Sequence, residues 1–335
     1  MARVFCLANG NLNGRTIRLI ADALATNGAV EPDLYTTASV TPWPEEREAP
    51  HRLPVATVSW EEAARRIVAA DAFLFPLNWL GATQQLIGAA RRAGVPSLGL
   101  LCDIGYDAHR IDPSKADSIP DWIGVADPIS RDLVLAAGAR PAQLLKLGSP
   151  YLDSMGKPVS PPLAGRRRIG VLGSLDYRRR GLPGKRSSEA SMQERILAVL
   201  EESGAVEVAL REHPRAGSTD TVSTMREYIA EVHGVVGTYS TGLIVARMLG
   251  RHACSFQPER ALRLREDALR AWDVPILATD AALKAWVDTV VEGRSPPPVK
   301  GRRYETGRSC AAIAACIARL AVSDHRWSAA VSKGR

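Results

Sequence analysis

Short apolar runs alternate along the chain with turns and with segments whose apolar residues recur every three or four positions. Residues 4–8 form the first run, and Asn9-Gly-Asn-Leu-Asn-Gly14 is a polar turn after it. Ile17, Ile20, Ala21 and Leu24 then recur at helical spacing, and Asn27-Gly28 supplies a stop. Ser59 with Glu62 three residues on reads as a capping box, opening a helix with Ala63, Ile67 and Val68 on one face. Strands are predicted over 72–77, 95–102, 122–126 and 144–147. Helices are predicted over 82–93 and near 130–137, the second closed by Gly138.

Gly156, Pro158, Pro161, Pro162 and Gly165 then break the rhythm, so residues 154–167 read as an interdomain linker. The alternation restarts with strands over 169–172, 206–210, 235–238, 253–256 and 276–278. Helices are predicted over 192–200, 222–230, 243–249, 261–272 and 282–291. A second linker, Ser295-Pro-Pro-Pro298, precedes an apolar helix near 310–322. This order predicts parallel sheets with helices on both faces. The expected architecture is α/β: two Rossmann-like doubly wound domains facing a cleft, over residues 1–155 and 166–295. A helix over 305–325 is expected to pack back on the first domain. In such sheets ligands bind outside the carboxyl ends of the strands, so the residues just after each run are the ones to inspect.

Composition narrows the class. The 335 residues are 46% hydrophobic and 24% charged, as in an ordinary globular protein of about two domains. A formal net charge of +7 fits a partner bearing phosphate or carboxylate without requiring one. Aromatics are only 5%, which argues against a stacking platform for single-stranded nucleic acid, and no nucleic-acid-binding motif is present. The five cysteines are scattered, and Cys6, Cys102 and Cys254 sit in strand-like runs, so buried free thiols are expected. No apolar run reaches the roughly 18 residues of a membrane span, and the N-terminus turns polar at Asn9, too early for a signal-peptide core. The expected location is cytoplasmic, with peripheral contact at the inner membrane left open. There is no G-x-G-x-x-G, Walker loop, H-E-x-x-H or G-x-S-x-G, so neither a cofactor nor a metal is expected.

The second domain carries the sharpest chemistry. Arg211-Glu-His213-Pro214 follows one strand and Tyr239-Ser240-Thr241-Gly242 follows another, opening a helix. Hydroxyls and unpaired N–H groups at a helix start suit an anion, and the helix dipole adds to the field. His213 can donate a hydrogen bond to a leaving phosphate. Gly173-Ser174 is a third strand-end turn with room for phosphate. The first two groups are expected on neighbouring strand ends of one sheet. A plain N-cap fits the Ser-Thr turn equally well, and a surface position fits the lone histidine.

In the first domain Asp103 follows an apolar strand and can take a proton from an acceptor hydroxyl, with Asp107 and His109 as rivals. A turn-capping aspartate is the alternative. Asn9 and Asn11 can line the acceptor side of the first turn, or serve the turn alone. Residues 165–186 carry Arg166, Arg167, Arg168, Arg178, Arg179, Arg180, Lys185 and Arg186 against one acid, Asp176. This stretch admits three readings: a loop closing on phosphates, attraction to an anionic membrane surface, or a solvated loop.

Arg211-Glu-His-Pro214 resembles the Lys-x-His-Pro element of bacterial capsule-type glycosyltransferases, which include sialyltransferases, polysialyltransferases and CDP-glycerol glycerophosphotransferases. Tyr239-Ser-Thr-Gly-Leu-Ile-Val-Ala246 resembles their Ser-Ser/Thr element. Ile119-Pro-Asp-Trp-Ile-Gly-Val-Ala126, Ser130-Arg-Asp, Gly138 and Gly148-Ser-Pro-Tyr-Leu-Asp153 resemble another shared stretch, and the likeness covers about residues 95–260. The resemblance implies a GT-B architecture with a nucleotide-activated sugar as substrate, held mainly by the second domain. The acceptor would be a glycan, a lipid-linked molecule or a small molecule. It also implies metal-independent transfer in polysaccharide biosynthesis, with His213 aiding the leaving phosphate and Ser240 and Thr241 binding its oxygens. The sequence departs from the pattern at Leu243-Ile-Val-Ala-Arg247, where many such enzymes have a ribose-binding Glu. Two alternatives stay open: a nucleotide-sugar 2-epimerase or hydrolase on this fold, and a non-catalytic nucleotide-sugar-binding protein. Epimerases of that type carry more strand-end carboxylates and histidines than this chain shows.

Overall fold

A computed structural model describes residues 1–9, 11–37, 53–77, 81–101, 119–160, 162, 165–173, 188–212, 224–258, 266–296 and 307–323. The chain divides into two units, Met1–Ser154 with Arg303–Arg335, and Met155–Arg302.

Among the described residues of the first unit the seven parallel strands are β1 (Ala2–Leu7), β2 (Val30–Thr36), β3 (Ala56–Thr57), β4 (Ala72–Pro76), β5 (Ser97–Leu100), β6 (Trp122–Val125) and β7 (Leu144–Lys146). Their order is β3-β2-β1-β4-β5-β6-β7. The helices are α1 (Asn11–Asn27), α2 (Trp60–Val68), α3 (Gly81–Arg92), α4 (Pro128–Ala136) and α5 (Pro150–Met155), which ends across the unit boundary. Successive residues of β1 serve opposite faces. Val4, Cys6 and Ala8 join Ile17, Ile20 and Leu24 of α1, whereas Phe5 and Leu7 join Ile67 of α2 and Leu86 of α3. A strand covered on both faces reads as a continuous apolar run, which is why β1 is visible in sequence. Burial pushes the Cys6 thiol far up from its ordinary range.

The sequence reading misses β2 and β3. Pro32 and two acids interrupt β2, yet β3 pairs with β2 at Tyr35 and Thr36, so among the described residues β1 alone pairs with the strand at Pro32. A strand can hold proline where no ladder bond is lost. The expected capping box at Ser59 is half formed. Ser59 caps α2 by accepting from the Glu62 N–H at 3.1 Å, but the Glu62 carboxylate turns to Arg66 and Arg65.

Among the described residues the second unit has five parallel strands, β8 (Arg168–Leu172), β9 (Glu207–Arg211), β10 (Gly234–Gly237), β11 (His252–Phe256) and β12 (Ile276–Leu277). Their order is β12-β11-β10-β8-β9. Its helices are α6 (Ser188–Ser203), α7 (Met225–Ala230), α8 (Thr241–Met248), α9 (Glu266–Ala271) and α10 (Asp280–Val291). Ile169, Val171, Val236, Cys254 and Phe256 pack beneath Ile196 and Leu200 of α6 and Leu283 and Val287 of α10. Two arginines fasten the start of this unit to its body. Arg226 donates to the carbonyls of Met155 and Lys157, and Arg251 to those of Val159, Ser160, Ile229 and Ala230.

The last helix, α11 (Ser309–Val322), belongs to the first unit. Its Ile313, Ala314 and Ile317 join the core of Ile17, Ile20 and Leu24. The Asp153 carboxylate accepts from the Ser309 N–H at 2.7 Å, placing a negative charge at the positive end of α11. Among the described residues no helix is long and apolar enough to cross a membrane.

Candidate functional site

Strand order locates the site of the second unit. The chain runs from β8 outward to β9, then returns to the other side of β8 to lay down β10, β11 and β12. The direction of build therefore reverses between β8 and β10, and ligands of open α/β sheets bind beyond the carboxyl ends at such a point. Gly173 follows β8, and Tyr239, Ser240, Thr241 and Gly242 follow β10, so these expected residues meet at the switch point. Arg211 ends β9. The expectation that its strand neighbours β10 is corrected: β8 lies between them.

Ser240 is the N-cap of α8, and its Oγ accepts from the Gly242 N–H at 3.1 Å. The N-cap alternative is thus realised, and it leaves the Ser240 hydroxyl proton to donate elsewhere. Gly242 brings this helix start close to β8, because a Cβ on it would stand 2.7 Å from Leu172 Cδ1. Residues Gly242 to Arg247 of α8 are all buried. The helix therefore offers its N-terminus and no exposed carboxylate from 243–247, where the sequence departs from the capsule-type pattern. An N-terminus of this kind carries about half a positive charge.

Arg211 is 5% exposed and lies behind the β8 end rather than on the surface. Its carbonyl accepts from the Gly173 N–H at 2.8 Å. Its guanidinium stands 5.4 Å from the Tyr228 ring centroid and donates to the Thr224 carbonyl at 3.4 Å. Tyr228 in turn donates to the Ala209 carbonyl at 2.7 Å, and burial raises its phenol far above its ordinary range despite the Arg211 charge.

Sequence reasoning missed two residues here, Ser255 and Gln257. Ser255 Oγ donates to the Thr238 carbonyl, and Gln257 Nε2 reaches the same oxygen at 3.2 Å and Ser255 Oγ at 2.8 Å. Their one sequence signal is a polar residue inside an apolar run and another just past it.

In the first unit the build reverses between β1 and β4, and Asn9 stands beyond β1. Its side chain is buried in a staple to the end of β2. Oδ1 accepts from Thr37 N–H at 2.9 Å and from the Thr36 hydroxyl at 3.2 Å, while Nδ2 donates to the Thr37 hydroxyl at 2.8 Å. Asn9 thus shapes this end of the sheet. Asn11 opens α1. Asp103, Asp107, His109, Ser174 and His213 lie outside the described residues, as does most of the basic stretch 165–186. Of that stretch, Arg166 donates to the Gly204 carbonyl, and Arg168 pairs with Glu207 and Glu231 on the surface. Among the described residues no group of three metal-ligating side chains comes together.

No protein-family model matches the chain, and no curated protein matches it by sequence. Solved structures do match. UDP-GlcNAc 2-epimerase from Methanocaldococcus jannaschii is 9% identical with a TM-score of 0.64, covering 94% of this chain and 99% of that one. HepE from Anabaena, solved in complex with UDP-glucose, is 12% identical with a TM-score of 0.57 over 100% of both chains. MurG from Acinetobacter baumannii is 12% identical with a TM-score of 0.53, covering 95% of this chain and 99% of that one. At these identities the likeness shows the fold: α/β, of GT-B type, built on two parallel sheets. None of the three is a sialyltransferase or a glycerophosphotransferase, so the narrower resemblance rests on the sequence elements alone.

Proposed function

We propose that the chain binds a nucleotide-activated sugar beyond the carboxyl ends of β8 and β10 and transfers its glycosyl group to a hydroxyl acceptor without a bound metal. The observation that carries this reading is the convergence of Gly173 and the Tyr239–Ser240–Thr241–Gly242 turn at the switch point of the second sheet. The neighbours support the donor class, since one was solved with UDP-glucose and another is a UDP-GlcNAc epimerase. In the proposed step the acceptor hydroxyl attacks the anomeric carbon while the bond from that carbon to the phosphate oxygen breaks. Asp103 takes the hydroxyl proton. The α8 N-terminus and His213 stabilise the charge that develops on the leaving nucleotide.

A calorimetric panel of UDP, CDP, GDP, ADP and dTDP tests the donor site, with at least one expected to bind at millimolar concentration or tighter. The variant His213→Ala is expected to keep the melting temperature and lose transfer by about a hundredfold or more, the usual contribution of an acid or base group. Unchanged turnover would remove His213 from the mechanism. The second reading, epimerisation at C2, is favoured by the TM-score of 0.64 to the M. jannaschii epimerase. NMR of the sugar nucleotide without acceptor tests this second reading, because a C2 epimer supports it and an unchanged donor removes it.

A further inference from the structure

We propose that the Glu212 carboxylate accepts hydrogen bonds from hydroxyl groups of the bound nucleotide sugar. This deepens the reading of the site given above and rests on it. Glu212 stands between Arg211 and His213, the two residues that the sequence singles out at this strand end.

The ladder between β8 and β9 places Glu212. The two strands pair in register as far as Leu172 opposite Arg211. The Gly173 N–H then donates to the Arg211 carbonyl at 2.8 Å, which carries the ladder one bond further. In a parallel ladder that bond sets Gly173 beside Glu212, about one strand spacing of 5 Å across the sheet. Glu212 is therefore at the carboxyl end of β9, next to the strand end that carries the proposed phosphate site. Its side chain is half-buried, and among the described residues it has neither a hydrogen-bond nor an ion-pair partner. Glu207, at the other end of the same strand, is spent on Arg168, and Glu227 on the Thr224 N–H.

A carboxylate in this place suits one part of the ligand and opposes another. Set close to a phosphate it is repelled, because like charges meet. It offers acceptors through two oxygens and so fits hydroxyl donors, which a nucleotide sugar carries on its ribose and on its transferred sugar. Hydrogen bonds to a charged group are also the stronger ones. The helix at the phosphate end does not take this part, because α8 contains no acid and its residues Gly242 to Arg247 are buried. With β8 between them, Glu212 lies about two strand spacings, or 10 Å, from the end of β10 where that helix begins. Repulsion and hydrogen bonding act on affinity in opposite directions, and this fixes the sign of the test.

Calorimetry on the full chain, with Glu212→Ala and Glu212→Gln, uses three ligands. They are the nucleoside diphosphate that binds best in the panel, its 2′,3′-dideoxy form and its glucose derivative. Glu212→Ala is expected to weaken the diphosphate or its glucose derivative about tenfold, the size of one hydrogen bond to a charged group. A loss present with the diphosphate and absent with the dideoxy form assigns the ribose. A loss confined to the glucose derivative assigns the transferred sugar. Glu212→Gln keeps one acceptor oxygen and should lose less. A carboxylate that is merely a neighbour of the phosphate gives unchanged or tighter binding when removed, and that overturns the proposal. A loss equally large with the dideoxy form overturns it as well, since no ribose hydroxyl is then involved. If the wild-type chain binds no diphosphate in the panel, the site assignment itself falls. Should Glu212→Ala not fold, Glu212→Gln decides alone.

Discussion

Gly14 and Gly242 each lie near the start of a helix beyond a switch-point strand, the first after β1 and the second after β10. They differ in what a side chain would meet. A Cβ on Gly14 would stand 2.9 Å from the Ala8 carbonyl oxygen, a backbone atom that cannot swing aside. A Cβ on Gly242 would meet Leu172 Cδ1 at 2.7 Å, the tip of a side chain that can rotate. Gly14→Ala should therefore cost about 1–3 kcal/mol, the range for overpacking, as measured by denaturant unfolding. Gly242→Ala should stay within about 1 kcal/mol of wild type, because the clash is offset by the better helix propensity of alanine. Equal losses in the two variants would contradict this account. Neither close approach is readable in sequence, where both positions are merely glycines near helix starts. The same limit hid Ser255 and Gln257, whose bonds to the Thr238 carbonyl lie just beyond the end of the β10–β11 ladder. Ser240 was readable, because capping is local chemistry.

Elements were more legible than contacts. Strands covered on both faces appear as unbroken apolar runs, and the sequence reading overlaps β1, β4, β6, β8, β10 and β11 within a few residues. It failed at β2 because edge-like pairing tolerates Pro32, and at β3 because two residues carry no pattern. It also set β9 beside β10, since nothing in residue order says on which side of β8 the chain returns. Helix α7 shows what local signals add. Thr224 accepts from the Glu227 N–H at 3.1 Å and Glu227 accepts from the Thr224 N–H at 2.6 Å, a full capping box on a helix of only six residues. This short helix carries Tyr228, whose ring fills the space above Gly170 and backs Arg211. Thr224→Ala should cost about 1 kcal/mol, or roughly 3 °C in melting temperature for a unit of this size. Hydrogen exchange should quicken first in α7 and at Gly173, whose N–H is held by the Arg211 carbonyl. Protection lost evenly over the whole chain would contradict the local origin of the effect.

At the scale of the molecule, each sheet presents its candidate chemistry at the carboxyl end of its strands, and the opposite end of the second sheet has its own electrostatics. His233 precedes β10 and His252 opens β11, opposite Gly234. Both imidazoles are held below their ordinary pKa, chiefly by burial. Arg167 and Arg251 add repulsion at His233, and Arg247 and Arg167 at His252. His233 Nδ1 accepts from the Arg168 N–H at 3.1 Å, so protonation there would set two donors against each other. His252 Nε2 sits 2.6 Å from the Arg294 carbonyl and donates to it. In the unfolded chain both return to about 6.5 and take up protons more readily than the folded form. Stability from these two groups is therefore full above about pH 6.5 and falls as pH drops from there through the depressed folded values. Melting temperature should decline between pH 7.5 and 5.5, and part of that decline should belong to the histidines. His252→Gln keeps a donor for the Arg294 carbonyl without a titrating ring, and His233→Asn removes the second ring. The double variant should show a shallower decline than wild type over the same interval. Parallel pH profiles for wild type and double variant would locate the acid sensitivity in the carboxylates instead.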